Sequence, residues 1–140
     1  MSNRAYLDTD IIFDFISERE PFFEDALELF SLIDEGKITG YVSPLIFSNI
    51  YYIVRKQKTA GFARNVLINL KTILKIVSID EKIITLALAS NFKDFEDAIQ
   101  YFAAIEHKIP YLITRNKKDF QETGIIICNA KEYLSIRNFL

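Results

Sequence analysis

The sequence predicts an α/β fold in which helices cover both faces of a central parallel sheet. Three observations lead to this prediction. Short apolar segments typical of strands alternate along the chain with longer segments of helical periodicity. Half of the 140 residues are hydrophobic, so the chain can bury a substantial core. No linker, internal repeat or low-complexity segment interrupts it, so we expect a single domain that spans residues 1–140.

The first part of the chain is predicted to form a strand and two helices. The segment "AYL" predicts a strand that ends near Leu7, and "IIFDFIS" predicts a helix with Asp10 as a candidate N-cap. The segment "PFFEDALELFSLIDEG" predicts the second helix. Pro21 suits its first turn, acidic residues lie near its positive N-terminal end, and Gly36 ends it.

The middle of the chain is predicted to contain two extended segments and three helices. After the extended segment "ITGYV", a helix begins with Ser43 as its cap and Pro44 at its first position. The segment "TAGFARNVLINLKTIL" predicts an amphipathic helix with Thr59 as a candidate cap. The segment "KIVSI" is a strand candidate, and Asp80 is placed to cap the helix "EKIITLALAS".

The last part of the chain is predicted to contain a helix, two strands and a final helix. The first helix runs from about Asp94 to His107, and the strands are "YLITRN" and "GIIIC". The segment "NAKEYLSIRNFL" predicts the closing helix. His107 favourably meets a helix C-terminus and is given no catalytic role. Cys128 lies in an apolar run and is interpreted as a core or strand-end residue rather than a nucleophile.

The charge balance and the single cysteine exclude several classes of protein. A net charge of −2 does not indicate a general polyanion binder, so any nucleic-acid surface must be local. One cysteine excludes an intramolecular disulfide and fits a reducing cytosol. No signal peptide is evident, and no apolar run approaches the ~18 residues of a membrane span. We therefore expect a soluble cytoplasmic protein with no membrane partner.

Several acidic and amide residues are predicted to meet at one edge of the sheet. Asp8 ends the first strand, Asn116 and Asp119 follow the strand "YLIT", and Asp97 lies in the first turn of a helix. The carboxyl ends of parallel strands share one edge, where ligands bind. Unpaired carboxylates there would repel one another, and a divalent cation removes that repulsion. Oxygen ligands favour Mg²⁺ or Mn²⁺, and no His and Cys cluster indicates a structural zinc site.

Structural interpretations of the same acids remain open. Asp94 and Asp97 have the spacing of a capping box, and for Asp94 the helix cap is the favoured interpretation. Glu96 is expected to face solvent. Asp8 also fits a plain turn, and Asp14 is expected to be a surface residue or a salt-bridge partner.

Four segments, taken together, resemble the PIN domain family. They are "YLDTDIIFDF", "YVSPLIFSNIYYIV", "DFEDAIQYFAA" and "YLITRNKKDF", and the resemblance runs from Tyr6 to about Leu134. The segment "REPFFEDALELF" is similar to the bacterial toxin-like, VapC-like branch. The resemblance implies a three-layer α/β/α fold with a central parallel sheet. It also implies a Mg²⁺- or Mn²⁺-dependent ribonuclease, the toxin of a toxin–antitoxin pair, with RNA and a cognate antitoxin protein as partners and a homodimeric state.

The resemblance also assigns residues of the proposed catalytic site. Asp8 matches the first metal-binding aspartate of the family and Asp97 matches the third acid. Asn49 stands where a glutamate is common, and Asn116 stands at the frequent fourth aspartate, with Asp119 three residues later. The two amides lack negative charge, so they are expected to act as neutral ligands or as partners of the ligands.

Further residues complete the implied site. Asp94 is a candidate third metal ligand, and Asp10 stands where the family usually has an asparagine. Thr114 or Asn49 is expected to orient a water or a phosphate oxygen. In this mechanism the ion activates a water for attack on the phosphodiester.

Basic residues must offset the acidic site if RNA is to bind. Arg115 and Lys117 in "TRNKK" and Lys93 are the candidate substrate-binding residues, because they lie near the proposed metal in the chain. Arg64 and the basic residues of "YYIVRKQK" are further candidates. For each of them alone, a solvated surface charge is the simpler interpretation.

Two alternative functions are considered. "DTD" after a strand also resembles haloacid-dehalogenase-type phosphatases, but Ile12 stands where that family has Thr or Val. The two asparagines are also compatible with a degenerate PIN domain that binds RNA or protein without cutting. In that case Phe22, Phe23, Tyr51 and Tyr52 would be candidates for a dimer or antitoxin interface, although core packing is their default role.

Overall fold

The sheet has five strands within the described part of the chain. The structure is a computed structural model, which describes residues 3–120 and 124–137. The strands are β1 (Arg4–Leu7), β2 (Thr39–Val42), β3 (Lys75–Ile76), β4 (Tyr111–Ile113) and β5 (Ile126–Cys128). Their order in the sheet is β3-β2-β1-β4-β5, and every neighbouring pair is parallel. The predicted α/β fold with a parallel sheet is therefore confirmed.

Helices connect and cover these strands. Those of the described residues are α1 (Thr9–Ile16), α2 (Phe23–Asp34), α3 (Pro44–Gln57), α4 (Ala60–Ile73), α5 (Glu81–Ala89), α6 (Phe95–Glu106) and α7 (Ala130–Arg137). A short 3₁₀ helix spans Lys117–Asp119. None of these helices is long and apolar enough to cross a membrane. Every helix and strand predicted from the sequence has a counterpart, although the strand in "KIVSI" is only two residues long.

Polar residues cap three of the helices as predicted. The Thr59 side chain accepts a hydrogen bond from the backbone N–H of Phe62 at 3.1 Å, and Asp80 accepts one from Ile83 at 3.0 Å. Asp94 caps α6 by accepting the N–H of Asp97 at 3.0 Å. Each side chain satisfies a donor that the first helical turn leaves without a partner. These contacts set where α4, α5 and α6 begin.

Three starting residues differ in detail from the prediction. The N-cap of α1 is Asp8 rather than Asp10, because Asp8 already follows the last residue of β1 and Asp10 falls inside the helix. Pro21 lies outside α2, since that helix begins only at Phe23. Ser43 is at the N-cap of α3 but makes no capping hydrogen bond. Its Oγ instead accepts the buried hydroxyl of Tyr6 at 2.9 Å.

The two central strands are the most deeply buried. Leu7 of β1 and Ile113 of β4 are fully buried and lie opposite each other in the parallel register. The residue after each strand is therefore held beside the other at the same edge. That edge carries the candidate site.

Candidate active site

Asp8 and Thr114 form the deepest part of the site. They follow the paired residues at the ends of β1 and β4, and both are buried. The N–H of Asp8 donates to the carbonyl of Ile113 at 3.0 Å, which extends the ladder of the sheet. The Thr114 hydroxyl donates to Asp8 Oδ2 at 2.7 Å. The sheet itself therefore fixes the Asp8 carboxyl group.

Burial raises the pKa of Asp8 above its usual range, and the negative charge of Asp119 raises it further. Hydrogen bonds oppose this effect. They come from Thr114, from the N–H of Thr9 at 2.7 Å and from the side chain of Gln100. These hydrogen bonds therefore offset only part of the rise in the pKa of Asp8.

Gln100 is a site residue that the sequence analysis did not anticipate. Its side chain is 1 % exposed, and its Oε1 has no hydrogen-bond partner among the described residues. It lies on α6 one turn after Asp97 and bonds to Asp8. The available signal was a single amide in the otherwise core-like run "AIQYFAA", since a buried polar side chain needs a partner.

Asp97 lies in the first turn of α6, beside its cap. Its carboxyl group is partly buried, and burial raises its pKa to about 7 together with the negative charges of Asp94, Asp8, Asp119 and Glu96. The structure thus gives Asp94 the capping role favoured from the sequence. Among the described residues, Asp97 makes none of the ion pairs that the structure contains, although two lysines line the same cleft.

A cleft of about 700 Å³ opens at this edge of the sheet. It is lined by Asn91, Phe92, Lys93, Asp94, Asp97, Lys118 and Asp119. Asp119 acts electrostatically on both Asp8 and Asp97, and Asp8 acts on Asp97. These three acids, predicted from separate motifs, are therefore brought together.

The side chains around this cleft fit a hard cation in their chemistry. They offer carboxylate and amide oxygens, the donors that Mg²⁺ and Mn²⁺ prefer. Their mutual repulsion is the kind that a cation relieves. However, no three His, Cys, Asp or Glu side chains of residues 3–120 and 124–137 are arranged as a ready-made metal site.

The two amide residues each contact an acid. Asn49 Nδ2 donates to Glu96 Oε1 at 2.9 Å and to Thr9 Oγ1 at 3.2 Å. Asn116 Nδ2 donates to Asp10 Oδ2 at 3.2 Å. The resemblance leads us to expect asparagine at position 10 and aspartate at position 116. This chain has the reverse, Asp10 and Asn116, and the two side chains are hydrogen-bonded to each other. The carboxylate is retained, but it projects from α1 instead of the loop after β4.

Asp10 is the acid of this exchanged pair. Burial raises its pKa to about 7, and the nearby charge of Asp8 adds to the effect. Its Oδ2 also accepts the N–H of Arg115 at 3.1 Å, whereas its Oδ1 is buried with no partner among the described residues. Asp10 therefore belongs to the same coupled group of acids.

Arg115 makes contacts that differ from the predicted ones. Its Nε and Nη2 donate to the two carboxylate oxygens of Asp14 at 2.8 and 3.2 Å. Its guanidinium carbon lies 4.1 Å from the centre of the Phe22 ring. Asp14 is 1 % exposed, so this is a buried salt bridge of the bidentate type. Arg115 ties the loop after β4 to α1 and does not line the cleft.

Lys117 and Lys93, the other predicted substrate-binding residues, differ from each other. Lys117 Nζ donates to both carboxylate oxygens of Glu132, at 3.1 and 2.9 Å. Glu132 also accepts the N–H of Asn129 at 2.9 Å, which joins Lys117 to the start of α7. Lys93 is exposed and lines the cleft. Of the three predicted basic residues, the structure therefore presents Lys93 to the cleft.

Comparison with known proteins identifies similar sequences. The model of the PIN domain matches residues 4–118. The curated protein Ribonuclease VapC1 of Aquifex aeolicus (strain VF5) is 24 % identical over 143 residues, which cover 99 % of this chain and 99 % of that protein. The resemblance to VapC-like PIN proteins predicted from the sequence is therefore confirmed.

Solved structures show the same fold. The chain superposes with a TM-score of 0.68 on DNA-bound VapBC from Salmonella typhimurium, at 17 % identity, covering 91 % of this chain and 98 % of that one. A toxin–antitoxin complex from Klebsiella pneumoniae gives 0.66 at 25 % identity, with 87 % and 95 % covered. VapBC2 from Rickettsia felis, bound to a promoter DNA fragment, gives 0.66 at 21 % identity, with 90 % and 98 % covered. The agreement with these structures favours the PIN-like fold over the phosphatase alternative. Because the PIN domain model matches well over half of the chain, the chain belongs to the PIN domain family.

Proposed function

We propose that this protein is a metal-dependent endoribonuclease and the toxin of a toxin–antitoxin pair. The proposal depends chiefly on one observation. Asp8, Asp97 and Asp119 come from three separate parts of the chain, and their charges act on one another at the carboxyl edge of the sheet. Such a group is costly without a cation. The whole chain, residues 1–140, is proposed to act as one domain.

Asp8 and Asp97 are proposed as the principal metal ligands, with Asp119 and Asp94 as further acids of the site. A bound Mg²⁺ or Mn²⁺ supplies an activated water and stabilises charge on the phosphate. Thr114 holds Asp8 by a hydrogen bond of 2.7 Å, so the carboxylate does not need to be ordered when the ion binds. The cap formed by Asp94 fixes the turn that carries Asp97.

Asn49 and Asn116 are proposed to act through the acids that they contact. Asn49 holds Glu96 beside the first turn of α6, and Asn116 holds Asp10 beside Asp8. Neither amide adds negative charge to the site. Their role is therefore to orient carboxylates and water, while Asp10 supplies the charge that Asn116 lacks.

RNA is the proposed substrate. The loop after β4 offers fewer unpaired cations for binding RNA than the sequence of that loop suggests. Lys93 is exposed at the cleft and is proposed to contact a phosphate. Arg115 and Lys117 are engaged by Asp14 and Glu132, so we assign them to holding the loop in place.

The proposed protein partners follow from the relatives. Salmonella VapBC and the Klebsiella complex are toxin–antitoxin assemblies, so an antitoxin protein is the proposed partner of this chain. A homodimer and a cytoplasmic location are proposed on the same family basis. Co-purification of the chain with the product of an adjacent short reading frame tests the first of these.

The nuclease is tested with a pool of structured and single-stranded RNA, incubated with Mg²⁺, with Mn²⁺ and with chelator. Asp97→Asn controls for contaminating nuclease, and Glu28→Gln controls for loss of an acid that does not line the cleft. We expect metal-dependent cutting by the wild type and by Glu28→Gln, and none by Asp97→Asn. Equal cutting by all three proteins would contradict the proposal.

A binding module without catalysis is the second candidate, and the absence of a ready-made three-acid group among the described residues favours it. Calorimetric titration with Mn²⁺ separates the two. If the protein is a nuclease, the wild type should bind Mn²⁺ and the Asp97→Asn variant should not. A folded wild type that neither binds Mn²⁺ nor cuts RNA would establish the binding module.

A further inference from the structure

A groove between α3 and α4 lies apart from the cleft. The α3–α4 groove encloses about 480 Å³. It is lined mainly by Phe47, Tyr51 and Tyr52 of α3 and by Arg64, Leu67 and Ile68 of α4. Tyr52 is 63 % exposed and Ile68 is 61 % exposed. Large apolar side chains gathered in this way around a groove mark an interaction surface rather than a plain solvated face.

The groove lies in a strongly basic part of the chain. Residues 44–76, which include α3, α4 and β3, contain six of the seventeen Lys and Arg residues and none of the nineteen Asp and Glu residues. All six are exposed, and none pairs with an acid within the described residues. They are Arg55, Lys56, Lys58, Arg64, Lys71 and Lys75. Exposed cations that form no ion pair with an acid create a local field that attracts a polyanion.

The cleft has less positive charge relative to its acids. Its lining includes three acids and two lysines, Lys93 and Lys118, while the guanidinium of Arg115 and the ammonium of Lys117 already neutralise Asp14 and Glu132. An RNA strand approaching the acids therefore needs cations elsewhere on the surface to offset repulsion. Arg64 lines the α3–α4 groove, and the other five cations of residues 44–76 lie on the two helices that form it or directly after them.

Helix α3 connects the groove to the cleft region. Ser48 lines the groove, and the next residue, Asn49, bonds to Glu96 in the first turn of α6 and to Thr9 at the start of α1. Tyr52 follows Ser48 by one helical turn and lies on the same side of α3. The groove and the contacts that surround the acids are therefore formed by neighbouring residues of α3 on different sides of that helix.

We propose that the α3–α4 groove binds a single-stranded segment of RNA, with a base stacked on Tyr52 and neighbouring phosphates held by Arg55 and Arg64. This inference rests on the ribonuclease function proposed above and assigns that function a substrate-docking surface. Stacking on an aromatic ring accepts any base, so the groove contributes affinity rather than sequence preference. A second copy in a symmetric dimer fits less well, because it would place the same six cations opposite one another.

The test is the binding of a fluorescently labelled single-stranded RNA of mixed sequence, followed by anisotropy in chelator to prevent cutting. Tyr52→Ala is expected to weaken binding roughly tenfold, whereas Tyr52→Phe keeps the ring and should stay within about twofold. Arg64→Gln is expected to lower the slope of log K against log salt by about 0.7, because one phosphate contact is lost. Lys131→Gln removes an exposed cation of α7 and should change neither quantity.

Thermal unfolding by circular dichroism verifies that each variant is folded. Unchanged affinity in Tyr52→Ala together with an unchanged salt slope in Arg64→Gln would overturn the proposal. It would also be overturned if these variants altered only the oligomeric state or antitoxin binding, since the groove would then be a protein interface. A wild type that docks RNA in the groove but cuts none with Mg²⁺ or Mn²⁺ would refute the nuclease alone. A wild type that cuts RNA while the groove variants bind normally would refute the docking alone.

Discussion

The acidic cleft and the α3–α4 groove are built in opposite ways. The cleft brings together Asp8, Asp97 and Asp119 from distant parts of the chain, and its acids repel one another. The groove is made by two consecutive helices, and the six cations on or directly after these helices are exposed to water. Charges that repel at short range need a scaffold that holds them, whereas a surface that attracts a polyanion does not. Under the two proposals made above, the positioning of reactive groups and the attraction of RNA are assigned to separate regions of this fold.

The substitution Asp97→Asn should have the largest effect, and it should affect the cleft without affecting the groove. Because a residue that merely supports a metal ligand costs 10- to 100-fold when lost, removal of a proposed ligand should lower single-turnover RNA cleavage by at least ~100-fold. Thermal stability should not fall, since the carboxylate is opposed by four neighbouring acids. Affinity for single-stranded RNA in chelator should not weaken. Cleavage near the wild-type rate would place the essential acids elsewhere.

The scaffold of the cleft is tested by Asp14→Ala, which leaves the guanidinium of Arg115 without its carboxylate. Breaking a buried ion pair should lower the free energy of unfolding by about 3 kcal/mol, measured by urea titration. Glu106→Ala is the matched control. It breaks an ion pair with Lys82, whose side chain is 68 % exposed, so the cost should stay within about 1 kcal/mol. Equal losses in the two variants would contradict the structural role of Arg115.

A substitution with a smaller expected effect should leave the loop after β4 with an unpaired cation, as on the helices of the groove. Glu132→Gln releases Lys117 but keeps an oxygen to accept the N–H of Asn129. The freed ammonium should tighten binding of single-stranded RNA about threefold, which corresponds to the energy of an exposed ion pair. Anisotropy titration in chelator measures this, with Glu28→Gln as a control for loss of one negative charge. An affinity equal to that of the control would show that Lys117 remains out of reach of RNA.

The smallest expected effect concerns Cys128, at the end of β5. Burial raises the pKa of its thiol to about 12, so the thiolate is scarce at pH 8. We expect almost no reaction with a thiol reagent in the folded wild type, in Tyr52→Ala or in Asp97→Asn, and full reaction in urea. Rapid labelling of a folded variant would reveal that its substitution has disturbed the sheet, and its RNA data would then say nothing about either region.

The fold was predictable because its determinants are local. Helix caps such as Thr59 and Asp80 and the alternation of strands with helices are visible in short windows of sequence. The edge at which Asp8 and Thr114 meet then follows from the parallel arrangement of strands. The differences concern the bounds of elements, such as the start of α1 and the early end of β3. Asp10 was a reasonable cap on residue type, but the end of β1 left that position to Asp8.

The side-chain partners in the site were less predictable because they are far apart in sequence. Arg115 and Asp14 are separated by 101 residues, and nothing near "TRNKK" indicates that its arginine is already paired. The same holds for the bond between Asn116 and Asp10. The groove is an intermediate case. Its excess of cations is visible in the sequence, but its shape depends on the packing of α3 against α4.

The position of β1 at the centre of the sheet has a consequence for biosynthesis. β1 is made early, whereas β4, its partner on one side, is synthesised about a hundred residues later, and the hydrogen bond from Thr114 to Asp8 spans 106 residues. Helices α3 and α4 are adjacent in the chain and emerge from the ribosome together. A nascent chain that stops before β4 therefore has the basic helices but no cleft. The proposed ability to cut RNA therefore arises only after β4 has been synthesised.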